Sequence, residues 1–253
     1  YTPQAFNMNT EATSTKTAAP AGVGGAVLDL SIDSIWLSQN SSNGIYQFNF
    51  SSNTMTTHGS NLSNNHGSNG AFTATSENYG AYVGGFTGGP TYTRDMSKFD
   101  FGTQTSSDVS NMVSGNRNYF QFVDNTTDAY SMGGTSTSST SNAVNTINKI
   151  TKSANTASTI GDSLDTAKST TACASVDDSG YCYGGVTSGG ADQTVIEKLV
   201  MSTEACAAIA QALSTGLRGG GASRGKDYVY YAGYYDGSTY LTTLRKMAIS
   251  DET

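Results

Sequence analysis

Charged residues are scarce in this sequence, since Asp, Glu, Lys and Arg together make up 13% of its 253 residues. A disordered chain of low hydrophobicity usually carries far more charge, so we expect a folded protein. Proline is also scarce, with three residues, and long runs of helix-forming residues are few. The scarcity of helix-forming runs argues against a helical protein, and the scarcity of charge argues against a disordered one.

Basic residues are fewer than acidic ones, 13 against 20, which gives a net charge of −7 and a pI of about 4.6. A surface that binds nucleic acid needs clustered Lys and Arg to displace counterions, and these 13 are scattered. No apolar run approaches the roughly 20 residues that span a bilayer. We therefore expect neither a nucleic-acid partner nor membrane insertion.

What the sequence does contain is Ser, Thr and Asn in abundance, with 29 Gly, 15 Tyr and 9 Phe. β-Branched and aromatic residues favour pleated, half-buried surfaces, while Gly and Asn supply tight turns. The composition predicts an all-β fold.

A glycine pair recurs about every 50 residues, each time after a short aromatic-containing segment. The copies are Gly84-Gly85, Gly133-Gly134, Gly184-Gly185 and the variant Ala232-Gly233. A second segment follows each pair and alternates apolar with polar residues, as a strand with one buried face does. Its copies include Tyr46–Phe50, Ser97–Phe101, Asn148–Ile150, Glu197–Met201 and Arg245–Ile249. A period of this length is typical of a repeat architecture.

Each repeat reads as four strands, which for the unit near 67–113 we place at 70–76, 79–85, 92–101 and 104–113. A four-stranded meander of about 50 residues is one blade of a β-propeller. We predict one domain over 1–253, a propeller of five blades, with six as the fallback. Residues 1–25 hold extra strands, because Phe6–Thr10 repeats the pattern of Phe48–Ser52. We expect them to complete the last blade, within the chain or in a neighbouring subunit.

The glycine pair that ends the second strand, with an aromatic residue nearby and a period of 50, resembles the kelch repeat. It is most similar to the degenerate Gly-, Ser- and Thr-rich kelch-like repeats of bacteriophage tail-fibre and other surface-appendage proteins. A kelch unit has a Trp in its third strand, whereas Trp36 falls in a second-strand position. The resemblance implies recognition or assembly.

Two motifs could carry catalysis, and we assign it to neither. Gly161–Leu164 matches the Gly-Asp-Ser-Leu signature of a serine esterase family, but no histidine follows it. His58 and His66 lie in one early stretch, whereas the copper site of kelch-type oxidases draws ligands from several blades. We predict no catalytic residue, no metal and no cofactor.

Three groups are candidates for binding or cross-linking. Acidic residues recur at the turn between the first and second strands, where they would form a rim that binds calcium or a cationic partner. The alternative is that Asp occurs there only because it favours turns. The rim residues are Asp33, Glu77, Asp128, Asp178 and Asp227. Four tyrosines of the last repeat suit glycan or protein recognition, with cross-strand packing as the alternative; they are Tyr230, Tyr231, Tyr234 and Tyr235. The spacing of Cys173 and Cys182 around Asp177-Asp178 permits a cross-strand disulfide that leaves Cys206 unpaired; three buried thiols are the alternative.

These features favour a non-enzymatic structural or adhesive module, located outside the cell or on a virion surface. We expect self-association through the terminal strands into a filament, and a glycan or cell-surface receptor as a further partner. The alternative is a secreted carbohydrate-binding lectin or a kelch-type propeller enzyme.

Overall fold

A computed structural model describes residues 4–7, 12–15, 23–29, 34–39, 44–49, 51–52, 54–58, 62, 71–74, 79–86, 92–100, 103–108, 115, 117–137, 140–232, 235–241 and 243–252. The chain divides into two compact units, Tyr1–Met112 and Val113–Thr253. Each unit is described by itself. The prediction of one domain over 1–253 stays a prediction.

The first unit consists of antiparallel strands. Their bounds are β1 Gln4–Asn7, β2 Ala12–Thr15, β3 Val23–Asp29, β4 Ser34–Gln39, β5 Ile45–Asn49, β6 Thr54–Thr57, β7 Ala71–Ala74, β8 Tyr79–Phe86, β9 Tyr92–Asp100 and β10 Thr105–Asp108. Strands β1 and β2 form a hairpin, β3–β6 form sheet 1 and β7–β10 form sheet 2, each sheet pairing its strands in chain order. The strands predicted at 79–85 and 92–101 match β8 and β9, and β7 and β10 lie within the predicted 70–76 and 104–113.

The second unit continues the same pattern. Its strands are β11 Gln121–Asp124, β12 Asp128–Met132, β13 Thr146–Thr151, β14 Thr156–Ser163, β15 Lys168–Ser169, β16 Ala172–Val176, β17 Ser179–Tyr183, β18 Val186–Thr187, β19 Gln193–Val200, β20 Ala205–Leu217, β21 Gly221–Arg224, β22 Tyr228–Ala232 and β23 Arg245–Ala248. Sheet 3 is β11–β14, sheet 4 is β16, β17, β19 and β20, and sheet 5 is β21–β23, while β15 pairs with β18. Sheets 3 and 4 are four-stranded antiparallel meanders.

The all-β prediction is confirmed. Among the residues that the structure describes, the helical structure is one short 3-10 turn at Thr140–Asn142. That part of the chain holds no helix long and apolar enough to cross a membrane.

Within the second unit, sheet 4 is covered on both faces. The face toward sheet 3 presents Cys173, Cys182, Leu199, Met201 and Cys206, which pack with Val123, Tyr130, Met132, Ile147, Ile160 and Leu164. The face toward sheet 5 presents Ala172, Ala174, Val176, Tyr181, Tyr183, Ile196, Leu213 and Leu217, which pack with Val229, Tyr231 and Met247. Because successive residues of a strand point to opposite faces, strand β16 supplies alternate side chains to the two cores. The first strands β11, β16 and β21 lie next to one another.

In sheets 3 and 4 a glycine pair directly follows the second strand, and its backbone shape explains the residue type. Gly133 and Gly134 have φ of 62° and 101°, and Gly184 and Gly185 have φ of 59° and 101°. A Cβ on Gly134 would lie 2.7 Å from the carbonyl oxygen of Asn118. The pairs are therefore required by left-handed backbone and by the close approach of another chain segment.

In sheets 2, 3 and 4 the third and fourth strands are joined by four residues, the last of which has a positive φ. This position is occupied by Gln104 (54°), Asn155 (51°) and Glu204 (55°), and Glu252 (58°) stands at the matching distance after β23. The hairpin β1–β2 has the same connection length, because Asn7 pairs with Ala12. Its connection Met8–Glu11 matches Met201–Glu204 at Met, Thr and Glu.

Gly180 of β17 lies where sheet 4 packs closely on sheet 3, so a substitution there tests this packing. A Cβ at this position would overlap the Val123 side chain. We expect Gly180→Ala to lower the free energy of unfolding by about 1–3 kcal/mol, as overpacking of a core does. Urea unfolding of the variant measures this loss.

Gly161→Ala is the matched control, because Gly161 lies in strand β14 and a Cβ there would meet nothing within 4 Å. We expect it to be neutral or slightly stabilising. The double variant Val123→Ala/Gly180→Ala should be more stable than the sum of the two single losses predicts. Equal stability of Gly180→Ala and the wild type would contradict the described packing.

Candidate functional site

Sheet 3 contacts sheet 4 through a lysine, a tyrosine and a glutamate. Lys149 of β13 and Tyr130 of β12 are directly opposite each other in sheet 3. Lys149 Nζ lies 2.7 Å from Oε1 of Glu204, which follows the third strand of sheet 4. Tyr130 Oη donates a hydrogen bond of 3.1 Å to the carbonyl oxygen of Met201. Burial raises the pKa of Tyr130 to about 12, so its hydroxyl stays a donor.

The contact between sheets 4 and 5 repeats this arrangement one sheet further along the chain. Lys198 and Tyr181 are opposite each other in sheet 4. Lys198 Nζ lies 2.5 Å from Oε1 of Glu252, and Tyr181 Oη donates to the same oxygen at 2.7 Å. We call this set of contacts the Lys–Tyr–Glu contact. In both copies the acid belongs to the sheet that comes next in the chain.

The electrostatics of this contact follow from its hydrogen bonds. The hydrogen bond to Glu252 raises the pKa of Lys198, and that to Glu204 raises the pKa of Lys149. Burial alone would raise the pKa of Glu252, but the hydrogen bonds from Lys198 and Tyr181 outweigh it and lower this pKa. Lys198 and Glu252 are therefore both charged at neutral pH.

Sheet 5 holds the same cross-strand pair of lysine and tyrosine. Lys246 and Tyr230 are opposite each other in β23 and β22, as Lys198 and Tyr181 are in sheet 4. Lys246 Nζ also lies 4.1 Å from the centre of the Tyr228 ring, a cation–π contact. The sequence contained the signal for this pattern, since Lys149, Lys198 and Lys246 each belong to a third strand. The prediction from sequence identified these strands but assigned no role to their lysines.

A cleft of about 540 Å³ opens beside the Lys–Tyr–Glu contact of sheets 4 and 5. Its lining includes four carboxylates: Asp177, Asp178, Asp251 and Glu252. The carboxylate of Asp177 pairs with Arg224 at 2.7 Å. Hydrogen bonds from Ser202 lower the pKa of Asp178. The described residues contain no group of three or more His, Cys, Asp or Glu arranged to hold a metal ion.

The acidic rim predicted from the sequence is described in part. Asp128, Asp178 and Asp227 lie at the turns between the first and second strands of sheets 3, 4 and 5. Asp33 and Glu77 lie outside the described residues. A binding role of the rim stays a prediction.

The most deeply buried charges of the second unit are Lys168 and Glu197. Their side chains are each 1% exposed, and Lys168 Nζ forms an ion pair with Glu197 Oε2. The other oxygen of Glu197 accepts a hydrogen bond of 2.5 Å from the backbone N–H of Asp165. Glu197 lies opposite Cys182 in sheet 4. Two charges removed from water in this way are stable only as a pair, which makes the contact a structural one.

The three cysteines are free and buried. Cys173 and Cys182 are directly opposite each other in β16 and β17, and Cys206 lies in β20. All three belong to the core between sheets 3 and 4. The disulfide permitted by the sequence spacing stays a prediction.

The tyrosines singled out in the last repeat occupy different environments. Tyr230 and Tyr231 are buried, and the Tyr231 ring stacks on that of Tyr183 with centroids 5.0 Å apart. Tyr235 is half-buried and lies under the guanidinium of Arg218, 5.0 Å from its ring centre. Tyr240, 80% exposed, contacts Tyr235. Tyr234 lies outside the described residues.

The two motifs considered for catalysis are found in structural positions. Asp162 of the Gly161–Leu164 segment accepts a 2.7 Å hydrogen bond from the backbone N–H of Cys206, so it ties sheet 3 to sheet 4. His58 Nε2 lies 3.0 Å from Gln104 Oε1, and its ring contacts Phe99 edge-on. His66 lies outside the described residues.

No protein-family model matches the chain, and no curated protein matches it. The contacts of the chain's own residues therefore carry the functional proposal.

The buried ion pair of Lys168 and Glu197 predicts that removing one charge destabilises the protein more than removing both. We expect Lys168→Met to lower the free energy of unfolding by about 3–5 kcal/mol, because it leaves the Glu197 carboxylate buried without its counter-charge. Adding Glu197→Leu should restore most of this loss, since the double variant buries no charge. Urea unfolding of the two variants and the wild type measures both effects. A double variant as unstable as Lys168→Met would contradict this account.

The Lys–Tyr–Glu contact of sheets 4 and 5 predicts a pH dependence. Because the folded-state pKa of Glu252 lies below its ordinary value of 4.5, its contribution to stability is fully present above that value. It is lost as the pH falls through the lowered pKa. We expect Glu252→Gln to be less stable than the wild type by up to about 1 kcal/mol at pH 7, with the difference becoming smaller as the pH falls below 4.5.

Urea unfolding at pH 7 and pH 3 measures this difference. Asp227→Asn is the control, since it removes one carboxylate at an exposed turn. A Glu252→Gln difference that persists unchanged at pH 3 would show that the carboxylate does not contribute through its charge.

Proposed function

We propose that this chain is a non-enzymatic structural module of an extracellular or virion-surface appendage, in which the sheets are arranged as the blades of a β-propeller. One observation carries the proposal: the Lys–Tyr–Glu contact is directional and repeats from sheet 3 to 4 and from sheet 4 to 5. Sheets 3 and 4 each present a lysine to the next sheet, and sheets 4 and 5 each present an acidic turn to the previous one. A repeated contact of this kind generates a ring when it closes and a filament when it does not.

The arrangement of strands supports a propeller. Sheets 1 to 4 each have four antiparallel strands in chain order, and the first strands β11, β16 and β21 lie side by side. Propeller blades have this topology, with first strands at the centre. The low charge and the Ser-, Thr- and Asn-rich composition support a location outside the cell, as does the resemblance to kelch-like appendage proteins.

The hairpin β1–β2 supports self-association. It has the connection length and the register of a third–fourth strand hairpin, and Glu11 stands at the position of Glu204 and Glu252. We propose that the hairpin of one copy packs against sheet 5 of a neighbouring copy as sheet 5 packs against sheet 4, which places Glu11 on the side of that sheet where Lys246 lies. The contact is then head-to-tail and continues from subunit to subunit.

A charge exchange tests this assembly. We expect the wild-type chain to form filaments that are visible by electron microscopy and that weaken with salt, because exposed ion pairs are screened. Lys246→Glu and Glu11→Lys should each weaken association about tenfold or more, because like charges then face each other. Mixing the two variants should restore an alternating filament, since every contact again joins a lysine to a glutamate.

Two controls accompany the mixing experiment. Lys226→Glu makes the same charge change at an exposed turn of sheet 5 and should assemble normally. A chain starting at Gly22 lacks the hairpin and should remain as discrete particles. Single toroids from both the full and the shortened chain would overturn self-assembly. Filaments that both charge variants still form would overturn the Glu11–Lys246 contact alone.

A further inference from the structure

The cysteines of sheet 4 have the geometry of one specific cross-link. Cys173 and Cys182 are direct partners in the antiparallel pair β16–β17. Directly opposite residues of such a pair have Cα atoms about 4.5–5.5 Å apart, and disulfides join Cα atoms about 4.4–6.8 Å apart. The backbone register therefore already satisfies the requirement for a bond between them.

The third cysteine does not compete for this bond. Cys206 lies in β20, and strand β19 separates β20 from β17. Neighbouring strands are about 4.8 Å apart, so β17 and β20 are separated by about 9–10 Å, which exceeds the limit of about 7 Å for a disulfide. Cys206 can reach neither partner without movement of the backbone.

The surroundings distinguish the two paired thiols. A hydrogen bond with Cys173 and the charge of Lys168 lower the pKa of Cys182, whereas burial raises the pKa of Cys173. The thiolate is the reactive form of cysteine in disulfide exchange.

Access to the pair is closed in the folded protein. Cys182 is 0% exposed and Cys173 is 8% exposed. Val123 of sheet 3 fills the space above Gly180, two residues from Cys182. A small oxidant has no route to these sulfur atoms once sheets 3 and 4 are packed.

We propose that Cys173 and Cys182 form an intramolecular disulfide while the chain folds in an oxidising compartment, and that the packing of sheet 3 on sheet 4 then seals it. With a small-molecule disulfide as oxidant, the thiolate of one of the two cysteines attacks one of its sulfur atoms and releases one small thiol. The other cysteine then attacks the protein sulfur of this mixed disulfide and releases the second small thiol. Two protein thiols and one small disulfide become one protein disulfide and two small thiols.

Refolding of the full chain under two redox conditions tests the proposal. The denatured chain is refolded with reduced and oxidised glutathione, or with dithiothreitol alone, and free thiols are alkylated after denaturation. We expect the oxidised product to carry one alkyl group, on Cys206, and the reduced product to carry three. Both cysteines fall in one tryptic peptide, so cleavage before Asp177 or Asp178 is needed to show that the two halves stay linked.

Sealing is tested separately on the folded proteins. The folded reduced chain should react with glutathione disulfide far more slowly than the denatured chain, and the folded disulfide should resist dithiothreitol until urea is added. The oxidised chain should melt about 5–10 °C above the reduced one, as expected for a short closed loop. Cys206→Ala should leave the reaction rates and the melting difference unchanged, and it should lower each alkylation count by one.

Three free thiols after oxidative refolding, or a bond that includes Cys206, would overturn the pairing. Rapid oxidation of the folded reduced chain would overturn the sealing. The mass and alkylation results are obtained on the wild-type chain, so they do not depend on whether a cysteine variant folds. They also do not depend on self-assembly, which is measured independently.

Discussion

The second unit depends on the burial of each sheet face against the next sheet. Sheet 4 is covered on both sides, by residues of sheet 3 and of sheet 5. A four-stranded meander with two apolar faces cannot be stable alone in water, because both faces would be exposed. Gly180 shows how closely the faces approach, since the Val123 side chain occupies the volume of the missing Cβ. The polar contacts at the sheet edges can form only once this packing has brought the sheets together.

The strands were predictable from the sequence because their signals are local and repeated. The alternation in Glu197–Met201 identifies β19, and the glycine pair Gly184-Gly185 identifies the end of β17. Both depend on rules that act over a few residues: the period of two in a strand, and the left-handed backbone that favours glycine. Repetition made these short signals reliable.

The candidate site was predictable only in part, because its contacts join residues that are distant in sequence. Lys168 and Glu197 are 29 positions apart, and nothing in either segment indicates that burial would bring them together. The tyrosines of the last repeat show the same limit. Composition identifies an aromatic-rich segment. It does not show that Tyr231 lies on the face of sheet 5 that packs on sheet 4, where its ring stacks on that of Tyr183. From the sequence, the acidic residues at the turn between the first and second strands were predicted to form a binding rim. The acids that join neighbouring sheets, Glu204 and Glu252, lie instead at the turn that follows the third strand.

The positive φ at the turn between third and fourth strands has a further consequence. Glycine is the residue that this backbone favours, yet the position holds Gln104, Asn155, Glu204 and Glu252. A non-glycine residue costs about 1 kcal/mol or more there, and in return Glu204 and Glu252 place a carboxylate at the boundary between neighbouring sheets. Repeats that resemble one another can pair in the wrong order during folding. The residue at this position differs between sheet 2 (Gln104), sheet 3 (Asn155) and sheet 4 (Glu204), so its side chain distinguishes these three repeats from one another.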